Sequence, residues 1–352
     1  MTSRERVLAA VRREEPDRVP RDLSWGLTPA AYELFTRKTG QTDPLAYFKV
    51  DTRLVSQPPT RDPARHARYH GKDADVNEWG VANERGSDPA LHFTHIVSPL
   101  RGATTIEDIV DYPLPDLDAD YRIAGLACEV ARLHEQGFAA AAPVATTIYE
   151  VAWQIRGLEE LLTDMVSQPE MAECLFDRLT ALRAAQAAAY ARAGCDVLML
   201  GDDVSAQNGM IMSPAMWRRF FKPRLARIIN DARAAAPGIP VFYHTDGDCR
   251  AIIEELIEIG VTILNPVQPE CMDPAELKRS YGSRLAFWGT IGIQGTLPFG
   301  SPDDVRREVK RRIDTVGAGG GLLLGPSHMI EPEVPWENLV ALYDAIDEYG
   351  AY

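Results

Sequence analysis

From Ala139 onward the chain repeats one pattern. A short apolar run gives way to a polar turn, then to a longer stretch with apolar residues every three or four positions. Apolar runs of three to seven residues fit strands buried on both faces, and the longer stretches carry the period of amphipathic helices. The strands expected are Ala139 to Ala145, Asp196 to Leu200, Val241 to Tyr243, Thr262 to Leu264, Leu285 to Trp288 and Gly321 to Leu324. The helices expected are Tyr121 to Glu135, Leu158 to Asp164, Pro169 to Ala193, Pro214 to Ala236, Arg250 to Ile259, Asp273 to Tyr281, Pro302 to Val316 and Pro335 to Tyr349. Helices between short apolar strands mean βα units and a parallel sheet. No GxGxxG opens the first unit, so a dinucleotide-binding fold loses its best support. So many units over more than 200 residues point to a closed (β/α)8 TIM barrel, class α/β.

The N-terminal third lacks this rhythm. Thr2 or Ser3 can cap a first helix with Val7, Leu8 and Val11 on its apolar side, and Pro16 ends it. Pro20 to Pro115 is irregular, with one helical piece at Pro29 to Thr36 and strands near Asn77 to Ala82 and Leu91 to Ser98. The expectation is a single domain over 1–352, in which 1–115 is an N-terminal helical and irregular extension and 116–352 the main part of the barrel.

Composition narrows the partners. The net charge of -14 argues against nucleic acid and against an anionic membrane surface. No run of 18 apolar residues appears, and the charged N-terminus has no apolar signal core, so a cytoplasmic location is expected. Cys128, Cys174, Cys195, Cys249 and Cys271 form no close CxxC pair, so no disulfide framework is expected.

In a barrel of this kind the chemistry sits where strands end. The strand ending at Leu200 runs into Asp202, Asp203 and Gln207; VFY runs into His244 and Asp246. Asn265 and Gln268 follow the next strand, Thr290 the one after, and Ser327 and His328 the last. Tyr149, beyond the Ala139 strand, joins the substrate-binding candidates. His244 and Asp246, two apart, share a face while the backbone stays extended, and could hold a metal, pass a proton or simply orient one another. His328 either acts in the site or caps the next helix. One of Asp202 and Asp203 could cap a helix while the other faces the cavity. Asn265 and Gln268 either bind substrate or tie loops together. Cys271 is a better additional ligand than Cys249, although both read more simply as plain cysteines.

Taken in order, RERVLAAVRREEPDRVP, GDDVSAQNG, FYHTDGD, ILNPVQP, FWGTIGIQGTLPFG and GGLLLGPSHMI resemble the uroporphyrinogen decarboxylase superfamily. The resemblance implies a single (β/α)8 barrel with an N-terminal extension, and it covers two chemistries. The decarboxylases act on a polycarboxylate tetrapyrrole without metal or organic cofactor and bind it with an arginine-rich loop after a Val-Pro. That place here reads VPRDLSWG and offers only Arg21, with Arg18 just before. His328 matches a histidine of the decarboxylases. The methyltransferase branch works with corrinoid proteins carrying methylcobalamin and binds zinc through His-x-Cys and a distant Cys. His244 matches the histidine, Asp246 stands at the first cysteine, and His328 stands near or at the last.

His244, Asp246 and His328 can therefore hold zinc or another divalent metal, with less preference for zinc than thiolates give. The leading expectation is a metal-dependent methyltransferase or demethylase acting on a small substrate with a corrinoid protein. The alternatives are a metal-free decarboxylase of a small carboxylated substrate and a non-catalytic ligand-binding barrel. A homodimer is left open.

Overall fold

The computed structural model describes residues 1–69, 76–85 and 94–352. Eleven strands are present among them: β1 Thr52–Leu54, β2 Ala82–Arg85, β3 Thr94–Val97, β4 Ala139–Pro143, β5 Val197–Gly201, β6 Ser205–Ala206, β7 Gly209–Met210, β8 Val241–His244, β9 Ile263–Asn265, β10 Ala286–Ile291 and β11 Leu322–Pro326. Seven form one curled parallel sheet in the order β1-β4-β5-β8-β9-β10-β11, with helices in the connections. The gap between β11 and β1 is filled by Pro20–Asp22. Asp22 N–H donates to Leu324 O at 2.9 Å and Leu324 N–H to Pro20 O at 2.9 Å, while Asp51 N–H donates to Arg21 O at 3.1 Å. An eighth stave thus completes the barrel, as an α/β TIM barrel requires.

Strand parity builds two cores. Ala139, Ala141, Val197, Met199, Phe242, Ile263, Ala286, Trp288 and Leu323 point into the barrel. Their neighbours, such as Leu198, Leu200, Val241, Tyr243, Leu264 and Phe287, pack outward in a larger core shared with the helices. The helix Ser3–Val11 adds Val7, Ala10 and Val11 to the inner core. Its N-terminus is held by the reciprocal pair of Thr2 and Glu5. This helix meets the strands where they begin: Arg4 N–H bonds Gly137 O, just before β4, at 2.7 Å. It is a plug for the lower end.

All six strands expected after residue 138 are present, their ends shifted by no more than three residues. The helix expected over Pro214 to Ala236 is two helices, Pro214–Phe220 and Lys222–Ala235, because Pro223 fits only the first turn of a new helix. Tyr121 to Glu135 likewise divides into Asp120–Ile123 and Leu126–Glu135. Two features of the barrel, β1 and Pro20–Asp22, fall inside the segment 1–115 read as an extension, so the sheet starts earlier in the chain than its apolar rhythm does. Residues 91–93 of the expected Leu91 to Ser98 strand lie outside the described residues; Thr94–Val97 pairs with Ala82–Arg85 in a separate hairpin. No helix among the described residues is long and apolar enough to cross a membrane.

Candidate metal and substrate site at the barrel mouth

His244 ends β8 with its side chain buried, and β5 passes close beside it: a Cβ on Gly201 would meet the Cβ of His244 at 2.5 Å. Its Nδ1 lies 2.5 Å from Asn265 Oδ1, on the neighbouring strand. Its Nε2 faces two carboxylates, Asp203 Oδ1 at 3.6 Å and Asp246 Oδ1 at 3.8 Å. His328 arrives just past β11. One ligand atom each from His244, Asp246 and His328 lies within 4.8 Å of the others. Trp25, from the loop after the closing stave, packs against both histidines, 4.6 Å from the His244 ring and 6.1 Å from the His328 ring.

The turn that carries Asp246 is built to hold it. Asp246 N–H donates to Asp203 Oδ1 at 2.8 Å, and its carbonyl accepts from Ser205 Oγ at 2.6 Å. Gly247 follows with φ 83°, where a Cβ would run into the backbone of Ala206, so glycine is needed both for conformation and for space. The Asp246 Oδ1 atom is buried and makes no hydrogen bond. Burial pushes this carboxyl up to about 6; His244 opposes the shift, and Asp203 and Glu270 add to it.

Glu150 completes the acidic lining. Its Oε2 accepts the Asp203 N–H at 3.2 Å, and burial, then the charges of Asp203 and Asp202, push its carboxyl up to about 9. Sequence reasoning missed Glu150, although it stands close after an apolar strand like the others, in the first turn of the helix Tyr149–Arg156. It also missed Trp25, for which the irregular N-terminal segment gave no periodic signal.

The other expected site residues divide. Asp203 and Asn265 line the histidine directly. Asp202 does not face the mouth: its carboxylate accepts Ile148 N–H at 3.0 and 2.9 Å and Glu150 N–H at 3.0 Å, which tethers the start of the helix Tyr149–Arg156. Gln268 spends its Oε1 on Gly247 N–H at 2.6 Å and so ties loops. Cys271 is not in the ligand group; its thiol donates to Gln268 Oε1 at 3.7 Å.

Tyr149 is a correction of a different kind. It is buried in the outer core, edge-on to Phe221 with ring centres 5.6 Å apart, because strand parity is lost once the chain enters a helix. Arg21 is also withdrawn: its buried guanidinium pairs with Asp347 on the outer helix Trp336–Tyr349 and donates to Phe48 O at 3.2 Å. Gln207, exposed on the β6–β7 hairpin, donates to Gln294 Oε1 at 2.7 Å and so ties two loops together.

The residues fit a divalent cation. Two imidazoles and one carboxylate are a common donor set, and the orphaned Asp246 Oδ1 supplies an acceptor that nothing in the chain uses.

Fold and mouth together define a parallel (β/α)8 barrel protein whose polar groups gather at the strand C-termini, the end that carries the active site in enzymes of this architecture. Residues 99–349 match the family model for uroporphyrinogen decarboxylase (URO-D), and the chain belongs to that family. Among its relatives, the methylcobamide:CoM methyltransferase MtaA of Methanosarcina barkeri is 31% identical over 186 residues, 53% of this chain and 51% of that protein. A uroporphyrinogen decarboxylase of Thermus thermophilus is 30% identical over 182 residues, 50% and 48% of the two chains. The chain thus spans about half the length of these curated relatives. A solved methyltransferase from Methanosarcina mazei superposes over 99% of both chains with TM-score 0.67 at 20% identity, which shows the shared fold.

Proposed function

We propose that this member of the family is a metal-dependent methyltransferase or demethylase acting on a small substrate, with a corrinoid protein docking over the barrel mouth. The observation that carries the reading is the convergence of His244, Asp246 and His328 around the unpartnered Asp246 Oδ1. The similarity to MtaA supports the same branch. His244, Asp246 and His328 would hold a divalent metal, whose chemistry there is Lewis-acid polarisation of a substrate atom. The chain's own residues do the rest. His244 presents Nε2, Asp203 holds the Asp246 turn through its backbone N–H, and Trp25 walls the histidines from the N-terminal side. With oxygen and nitrogen donors in place of thiolates, the set is harder, which suits oxygen- or nitrogen-bound methyl groups as well as thiols.

A second reading rests on a separate observation: Glu150 and Asp246 both hold protons more tightly than ordinary carboxyls. Such groups could supply a proton in a metal-free decarboxylation of a small substrate. Under either reading uroporphyrinogen is a poor substrate, since Arg21 is committed to Asp347 and cannot meet its carboxylates. Metal analysis of untagged wild type beside His328→Ala separates the two. We expect about one divalent ion per chain in wild type, a sharp loss in the variant, and loss of activity on chelation. Wild type without metal, with activity that survives chelation, overturns the lead in favour of the proton-transfer reading.

A further inference from the structure

We propose that Asn265 is a positioning residue that fixes the tautomer of His244 and so aims the Nε2 lone pair into the mouth. The inference deepens the metal reading above but can be tested apart from it. The Trp288 carbonyl on β10 has no choice of role: it can only accept, and it takes Asn265 Nδ2–H at 2.7 Å. That sets the orientation of the amide, which is almost wholly buried on β9. Asn265 Oδ1 is then the atom presented to His244 Nδ1 at 2.5 Å, and an amide oxygen can only accept.

His244 Nδ1 must therefore carry the proton, which leaves Nε2 of the neutral ring with a lone pair. Three adjacent strands, β10, β9 and β8, thus decide the position of one proton. With the amide reversed, two acceptors would no longer be kept apart: the amide oxygen would face Trp288 O, and the histidine would be pushed toward the form that cannot ligate through Nε2. The carboxylate oxygens of Asp203 and Asp246 that face Nε2, at 3.6 and 3.8 Å, lie beyond hydrogen-bond range of it. The lone pair is available to an electron-pair acceptor, and a divalent cation between His244, Asp246 and His328 is the class that matches. Ligating histidines commonly have the other ring nitrogen fixed in this way, and loss of such a partner costs roughly 10- to 100-fold in metal affinity.

The test is a two-bond 1H–15N correlation of the ¹⁵N-labelled, metal-free full chain at alkaline pH, with His244→Gln to assign the signal. Wild type is expected to show His244 protonated at Nδ1. Asn265→Leu should shift the ring toward the Nε2–H form. Titration with Zn2+ alone should show affinity about 10- to 100-fold weaker in Asn265→Leu. A purely structural asparagine would not move the tautomer signal. An Nε2–H signal in wild type, which needs no variant to fold, overturns the proposal, as does Nδ1–H retained in a folded Asn265→Leu. Wild type that takes no zinc but shows Nδ1–H supports the assignment of Asn265 and defeats the metal reading alone.

Discussion

The two ends of the barrel bury the same residue types to opposite effect. At the lower end Asp51 is completely buried, yet every lone pair has a cation or donor. Arg6 reaches it at 2.7 Å, Arg18 at 2.9 and 3.0 Å, Ser3 at 2.7 Å and the Arg21 N–H at 2.8 Å. Asp196, just before β5, is held by Arg4 at 3.0 Å, His134 at 2.9 Å and the Ala140 N–H at 2.9 Å. At the upper end Glu150 and Asp246 have burial and neighbouring acids as their main influences, with His244 the one favourable group acting on Asp246. The lower acids lock the plug helix to the sheet. The upper acids retain capacity that the chain does not use, which suits a bound cation or a held proton.

The largest expected effect breaks this contrast directly. Asp51→Ala should destabilise the protein by about 3 to 5 kcal/mol, because it removes the buried acceptor of Arg18, of Arg6 Nη1 and of the Arg21 N–H, leaving Arg6 with the half-exposed Asp17 as its remaining carboxylate. Asp203→Asn keeps the acceptor for Asp246 N–H and removes a like charge, so stability should be unchanged or higher by up to about 1 kcal/mol. Urea unfolding of the two variants beside wild type decides it. Similar losses in both would mean that the upper acids are as structural as the lower ones.

This division also explains what the sequence disclosed. The strands that carry His244, Asn265 and His328 are bounded apolar runs, so the residues after them stood out. The stave Pro20–Asp22 and β1, with Arg53 at its centre over the Phe138 ring, have no apolar run, and their membership of the barrel comes from pairing alone. For the same reason the side on which Arg21 would emerge was not readable: without alternation nothing tells the inner face from the outer. Asp202 and Asp203 read alike as letters. Which of them tethers a helix depended on where the Ile148 and Glu150 N–H groups fall in space.

A smaller effect sharpens the contrast through pH. Glu150 has its folded-state pKa raised to about 9 from the ordinary 4.5, so the native state binds its proton more tightly than the unfolded chain. Its contribution to stability is therefore complete at low pH and declines as pH rises from about 4.5 to about 9. Glu150→Gln carries no such term. The variant should gain on wild type across that window, on the order of 1 to 3 kcal/mol near neutrality. Melting curves of both proteins at pH 5, 7 and 9 (roughly spanning the window) test this. A gap that is constant with pH would show that Glu150 is solvated and that the upper end is not an uncompensated acidic site.

The smallest effect concerns the loops above the acids. Gln207 bonds Gln294 between the β6–β7 hairpin and the segment after β10, and its side chain is exposed. The same hairpin is anchored independently by Ser205 Oγ on Asp246 O and by Asp248 N–H on Ala206 O at 2.9 Å. Since those anchors are retained, Gln207→Ala should change global stability by less than about 0.5 kcal/mol. Local opening is another matter, because an exposed bond between two loops holds them with little else at that point. Amide exchange should rise several-fold at Ala206 to Met210 and remain at wild-type levels in β8 and β9. Exchange that rises in β8 as well would mean that the hairpin and the His244 strand open as one unit, so that the mouth's rigidity depends on its rim and not on the sheet beneath.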